Sequence, residues 1–345
     1  MTEPANRYFA PEVPTRLAAL RVLVGLFGTV FLVVRTGYLF DVARLPPNRF
    51  DAVGPLSFLD VPLDLNVVRV GVFAAIALGA AFTLGWHHRI TGPLYAVALV
   101  VVTTYDNSWQ HIAHTENLFT LHTLVLGFTP SADAWSLDAR RRDARSEGRR
   151  PVADGRADGD RADGDRDDHD RADDDGRAEA YGWPVRLISA ITVCTYALAG
   201  WAKLRNGGVD WITGDVLRNQ IAHDNVRKAL LGDRHSPLGA HLVKYGWVFP
   251  PMALASMVVE VGAPFALLHA WTRRGWVAAA WLFHLGVLAL MAILFIYPLT
   301  GIAFASFGHP DQLWRWIRAQ GRTDRLIGDR APAAYGARGV RNIPA

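Results

Sequence analysis

Lysine is nearly excluded from this chain. Of 36 Lys plus Arg residues, only Lys203, Lys228 and Lys244 are lysine. Arginine stays protonated, whereas a lysine withdrawn from water can release its proton near neutral pH. Lys203 ends an apolar run in YALAGWAKLRNGGVDWITGD, residues 196–215, and this makes it a candidate base. The same position also suits a snorkelling lysine whose amine marks a helix end in headgroup water.

A second polar stretch is YDNSWQHIAHTENLFTLH, residues 105–122. It sets His111, His114 and His122 at i, i+3 and i+11, close to one helical face, with Glu116 nearby. A His-x-x-His pair on a helix can hold a metal, although most such pairs without a third ligand hold nothing. Glu260 in SMVVEVGAP and His284 in WLFHLGVLALM each stand inside an apolar run. Ionisable groups at membrane depth are costly. Each is therefore a functional group or half of a buried pair, with one another or with Arg21 or Arg69.

The elements that carry these residues follow from hydropathy. Hydrophobic residues make up 51% of the chain and charged residues 20%, and the apolar ones fall in long blocks. A bilayer core about 30 Å thick takes roughly 20 apolar residues per helix. Blocks of this kind cover 17–40, 67–86, 90–105, 112–130, 185–203, 247–270 and 275–297, with a shorter piece at 299–308. Backbone polar groups cannot cross lipid unsatisfied, so the blocks must be helical. The expected fold is all-α: a polytopic membrane helix bundle of about seven or eight transmembrane helices.

The first block carries Arg21 and Arg35 and has no small-residue cleavage site after it, unlike a cleavable signal. The single cysteine, Cys194, excludes an intrachain disulfide and a cysteine-based metal cage. A pI near 9.4 would suggest nucleic acid in a soluble protein. Here the arginines flank the spans and report topology instead. Arg7 and Arg16, His87-His88-Arg89, Arg140-Arg141-Arg142 and Arg273-Arg274 all fall inside if the N-terminus is cytoplasmic. Arg315, Arg318, Arg322 and Arg325 join them only if 299–308 crosses, which favours eight spans. Lys203 then lies at the outer face of a multi-pass protein of the cell membrane.

Residues 138–182 hold a single Val, Leu or Ile, Val152, and repeat a five-residue unit: RADGD from Arg156 and Arg161, RDDHD from Arg166, RADDD from Arg171. Such a tract buries too little apolar surface to offset ordering entropy, so a disordered cytoplasmic linker is expected. It divides an N-terminal transmembrane half, 1–137, from a C-terminal half, 183–308. An amphipathic helix and tail follow at 309–345. The halves show no similarity to each other, which gives an inverted-repeat transporter little support.

The opening RLAALRVLVG, the SWQHIAHTENLFTLHTLVLGFTP block, the YALAGWAKL and GVDWITGD segments and the late FHL together resemble the horizontally transferred transmembrane domain family. That family includes the membrane portion of vitamin K-dependent γ-carboxylase. The resemblance runs from about Thr15 to Phe307 and is interrupted by the linker. In the carboxylase an AG-x-x-K-L segment carries the lysine that deprotonates vitamin K hydroquinone. Ala199, Gly200, Lys203 and Leu204 match it. The histidine of the carboxylase SW-x-x-H segment corresponds to His114 after a slightly longer spacer, and Phe283-His284 matches the family's late FH. The carboxylase also has a large β-rich region that holds its protein substrate. Only a short tail follows Gly308 here, so carboxylation of protein glutamates is not expected.

The resemblance thus implies a quinone-activating core with a reduced quinone as cofactor, in a γ-carboxylase-like lyase or another quinol-using enzyme. Lys203 would be the base and His114 the donor to the oxyanion. Trp109, Trp201 and Trp211 would stack on the ring, and Glu260 and His284 would line the same cavity open to the outer leaflet. Two other readings stand beside it. One is a non-catalytic membrane scaffold that binds a lipid or quinone. The other is a metal-dependent oxidoreductase using His111, His114, His122 and Glu260. No nucleic acid partner is expected, and no protein partner is indicated.

Overall fold

Along the first three helices many aliphatic side chains face outward while three charged ones are buried. A computed structural model describes residues 11–110, 115–147, 163–213, 215–314 and 316, with the side chains of 163–178 excepted. Among these residues all regular structure is helical. Val30, Val33 and Val34 of α1 (Pro14–Val42), Val67, Val70 and Phe73 of α2 (Leu65–Leu84) and Leu94 and Val97 of α3 (His88–Asn107) are exposed. Arg16, Arg21 and Asp106 on the same helices are buried. That inversion suits lipid as the surrounding solvent.

Among the described residues four helices are long and apolar enough to cross a membrane: α1, α2, the 29-residue Glu179–Gly207 part of α6 (Asp163–Gly207) and α11 (Ala270–Met291). The apolar blocks lead to an expectation of seven or eight. Three of the differences have local causes. The 112–130 block yields α4 (Asn117–Gly127), whose 11 residues reach only about 16 Å. The 247–270 block breaks after α10 (Phe249–Val261), because Pro264 has no N–H with which to continue the ladder, and a 3₁₀ turn, Ala263–Leu267, follows. The 299–308 piece is a 3₁₀ helix, Ile302–Phe307, after the short α12 (Ile296–Leu299).

The Asp/Arg-rich tract, expected to be unstructured, contributes helix at both its ends. These are α5 (Leu137–Glu147) and the first turns of α6. Asp138 anchors α5 to the bundle, accepting the backbone N–H groups of His87 (2.9 Å) and His88 (2.8 Å) at the start of α3. Partial burial works to raise the Asp138 carboxyl. The two N–H groups, with the charges of His87 and Arg141, outweigh it and hold the carboxyl below its usual range. A carboxyl lowered on folding stabilises above its unfolded value, and that stabilisation is lost as pH falls through the folded one. Asp138→Asn should therefore cost about 1 kcal/mol at neutral pH. Melting curves of the two proteins should converge in acid, below the ordinary carboxylate range.

Arg21 is fully buried and caps the end of α2, donating from Nη1 to the Phe82 carbonyl (3.1 Å) and from Nη2 to the Trp135 carbonyl (2.7 Å). Gly85, at φ 63°, leaves room for it, since a Cβ there would stand 2.2 Å from Nη1. One apolar core runs through both halves of the chain. Phe27 of α1 meets the Tyr297 ring of α12 at 4.8 Å, and Val185, Ile188 and Tyr196 of α6 pack into the same cluster. A small second core forms around Ile221 of α8 (Asp215–Leu230), Phe249 and Leu290.

Candidate functional site

Five residues of α6 lie on one stripe. Ser189, Thr192, Tyr196, Gly200 and Lys203 recur at steps of three and four, which places them on a single helical face. Each meets a partner across the bundle. Ser189 donates to the Ser306 hydroxyl at 2.9 Å. Thr192 and Tyr196 meet histidines, and Gly200 and Lys203 meet Glu260.

Lys203 Nζ stands 2.7 Å from Glu260 Oε1, on the last turn of α10. The approach depends on Gly200. A Cβ there would lie 2.9 Å from Glu260 Cβ and 3.0 Å from the Val261 nitrogen, so only glycine lets α6 and α10 come this close. Two rings flank the ammonium, Trp211 of α7 (Asp210–Thr213) at 5.0 Å and Phe283 of α11 at 5.7 Å. Cation–π attraction at such distances adds about 0.5–1 kcal/mol each, more where water is excluded. The lysine side chain is 24% exposed and the glutamate 5%, so the lysine is the more accessible partner while the carboxylate stays enclosed. Glu260 Oε2 is buried without a hydrogen-bond partner among the described residues.

Phe283 also connects this pair to its neighbours. It packs against the His284 ring at 5.2 Å and lines an apolar cavity of about 360 Å³ between α8, α10 and α11. Leu217, Ile221, Met252, Val259 and Leu290 complete much of the wall. The volume is within the usual range for small-molecule sites. His284 Nε2 lies 2.6 Å from the Tyr196 hydroxyl, and its Nδ1 is buried without a partner among the described residues. Tyr196 in turn packs edge-on against Trp276 at 5.1 Å.

The structure thus joins Lys203 directly to Glu260 and sets His284 one ring away. Neither Glu260 nor His284 meets Arg21, which caps α2, or Arg69, which lies 5.7 Å above the Phe40 ring. Of the three tryptophans expected to face a quinone, Trp211 alone touches the lysine. Trp109 is buried against Phe50 (5.1 Å) and Tyr105 (5.9 Å), and Trp201 is 63% exposed beside Cys194 and Leu198 on the outward face of α6. His111 and His114 lie outside the described residues.

His122 is fully engaged: Nδ1 bonds the Tyr297 hydroxyl at 2.7 Å and Nε2 the Thr192 hydroxyl at 3.1 Å. With both ring nitrogens bonded and Glu260 paired to Lys203, two of the four ligands of the metal-dependent reading are committed elsewhere. No group of three or more His, Cys, Asp or Glu side chains converges on a metal position among the described residues. Glu116 is bound to Arg35 (2.5 Å), which also holds Asp106 (3.2 Å). Tyr196 is the residue that reading by type alone passes over, and its place seven residues before Lys203 was the available signal.

Inward-facing charges, crossing-length helices and an ion pair beside an apolar cavity define the class: an all-helical membrane protein with an ionisable site inside its bundle. No family model, curated protein or solved structure matches the chain.

Proposed function

We propose that this chain takes a proton from a weakly acidic, lipid-soluble substrate at the Lys203–Glu260 pair. The carrying observation is a lysine–carboxylate pair at 2.7 Å whose second carboxylate oxygen is unpartnered, next to an apolar cavity. The resemblance to the γ-carboxylase membrane domain points to a quinol as the substrate class. His114 is the donor to the oxyanion in this reading.

The proton balance is closed by the pair itself. The shared proton passes along the existing hydrogen bond from Nζ to Oε1 and leaves a neutral amine beside a neutral Glu260. The amine then accepts the proton of the substrate hydroxyl, and the resulting ammonium stands next to the new oxyanion. The burial of the pair strengthens this contact, and Phe283, 5.7 Å from Nζ, leads from it to the apolar cavity. Trp211 and Phe283 supply aromatic faces for the ring. In nanodiscs, a short-chain naphthohydroquinone should quench fluorescence on binding and be displaced by its oxidised form only weakly. Binding that is identical for both redox forms and unaffected by Glu260→Gln would favour the non-catalytic lipid-binding protein instead.

The same proposal orients the chain with eight crossings and a cytoplasmic N-terminus. Support comes from the last helical piece. Arg16, at the start of α1, donates from Nη2 to the Ser306 carbonyl at 2.9 Å, so the 296–307 segment returns to the end of the bundle from which α1 begins. The arginine clusters gather at that end. In a Cys194→Ser background, Ser146→Cys should react with an impermeant thiol reagent only after permeabilisation, and Asp233→Cys should react without it. Labelling of Ser146→Cys in intact cells would reverse the orientation.

A further inference from the structure

The end of the bundle opposite Lys203 holds a second cavity, of about 570 Å³, where α1, α6, the turn before α11 and the 3₁₀ helix at 302–307 meet. One side is cationic: Arg16, Arg186 and Arg273 line it with a single carboxylate, Glu12, and His269 stands among them. The other side is apolar, built from Val185, Ala266, Leu267 and Phe307. Leu267 and the adjacent Leu268 are half exposed on the outer surface of the bundle, so the apolar side opens toward lipid.

Arginines at this end are expected on topological grounds alone, and most are solvated. Arg16 differs from a solvated topology marker. It is 6% exposed, its Nη1 is held by Glu12 and its Nη2 by Ser306, yet its Nε is buried without a partner among the described residues. Glu12 is shared, with Arg186 at 3.8 Å as well. The lining thus carries three guanidinium groups and one carboxylate around a cavity large enough for a headgroup. Guanidinium forks match the paired oxygens of phosphate, as they do those of a carboxylate, and the apolar side beside them suits a phosphate carried on a lipid chain.

We propose that this cavity binds the phosphate group of an anionic amphiphile. Arg16, Arg186 and Arg273 take the phosphate oxygens, and the Val185–Leu267–Phe307 side takes the start of the apolar chain. The ligand would tie α1 of the first half to α6 and α11 of the second.

The test uses the full-length protein in a neutral maltoside detergent. Phosphatidylglycerol, phosphatidylcholine and inorganic phosphate are added separately, and melting temperature and lipid retention in native mass spectra are recorded. Phosphatidylglycerol should stay bound at one copy and raise the melting temperature, with phosphatidylcholine doing neither. Arg273→Gln and Arg186→Gln should each weaken phosphatidylglycerol about tenfold, roughly the 1.4 kcal/mol expected for one lost charge-assisted contact. Arg145→Gln removes the same charge from the exposed face of α5 and should change nothing. A rise with inorganic phosphate alone, to which lipid adds nothing, would keep the phosphate site and assign it to a soluble anion. Equal losses for Arg145→Gln and Arg273→Gln, or equal retention of both lipids, would overturn the site and leave only a general positive surface.

Discussion

Lys203→Arg should give a folded protein that still pairs with Glu260 and no longer deprotonates a quinol. The arginine keeps the charge and can form the bond to the carboxylate, but it cannot pass its proton to Glu260 and so never presents a neutral base. The loss should be at least about 10²-fold, the lower range for removing a positioned acid–base group. Lys203→Met should be inactive as well and less stable by about 3 kcal/mol, because it strands a carboxylate that is 5% exposed. Adding Glu260→Gln to Lys203→Met should recover most of the stability and none of the activity, and the cycle isolates the pair. Single-turnover absorbance changes of a naphthohydroquinone, read beside thermal melts, separate these outcomes. Activity kept in Lys203→Arg but lost in Glu260→Gln would move the base to the carboxylate. Wild-type activity in both lysine variants would make Lys203 an interfacial anchor.

Gly200→Val carries the second large effect, and it acts through geometry alone. Alanine would already meet the Glu260 and Val261 atoms at 2.9–3.0 Å, one of them backbone. Overpacking of that kind costs about 1–3 kcal/mol. Removing a glycine from a helix interior returns about 1 kcal/mol, so Gly200→Ala should be only mildly destabilised. Valine adds two more carbons and forfeits part of that return, so it should lose more than about 2 kcal/mol. The Lys203–Glu260 contact should open in both. With only three lysines in the chain, acylation of Lys203 by a lipid-soluble amine reagent can be mapped by mass spectrometry. It should accelerate in the order wild type, Gly200→Ala, Gly200→Val. A Gly200→Val protein that melts and reacts like wild type would remove the close approach from the account.

Hydropathy carried the all-helical class and the places where helices occur, because lipid demands long apolar runs and internally satisfied backbone. It did not carry their lengths. Nothing in the hydropathy of 247–270 weighs the missing N–H of Pro264, and nothing in that of 112–130 separates an 11-residue helix from a full span. Lys203, Glu260 and His284 stood out because a charge inside an apolar run is rare. Their partners could not be assigned the same way. The Lys203–Glu260 bond joins positions 57 apart and the Tyr196–His284 bond positions 88 apart, and only tertiary packing brings them together. The tryptophans illustrate the converse. Three were equivalent by type, yet helical phase sends Trp201 outward while Trp211, beyond the helix end, folds back under the lysine.

The buried bonds of His122 impose an order of events on biogenesis. Its partners, Thr192 and Tyr297, lie 70 and 175 residues further along the chain. At roughly 5–20 residues per second, the ribosome delivers Tyr297 about 10–35 s after His122. Throughout that interval α4 is too short to hold its own place in the bilayer; its imidazole has neither hydroxyl to meet until Thr192 emerges, and only one of the two until Tyr297 does. The first half of the chain must therefore wait at the insertion machinery, or at the interface, until α6 and then α12 arrive. A ribosome paused between residues 192 and 297 would leave α4 accessible to protease, and release of the completed chain would be the step that seals it.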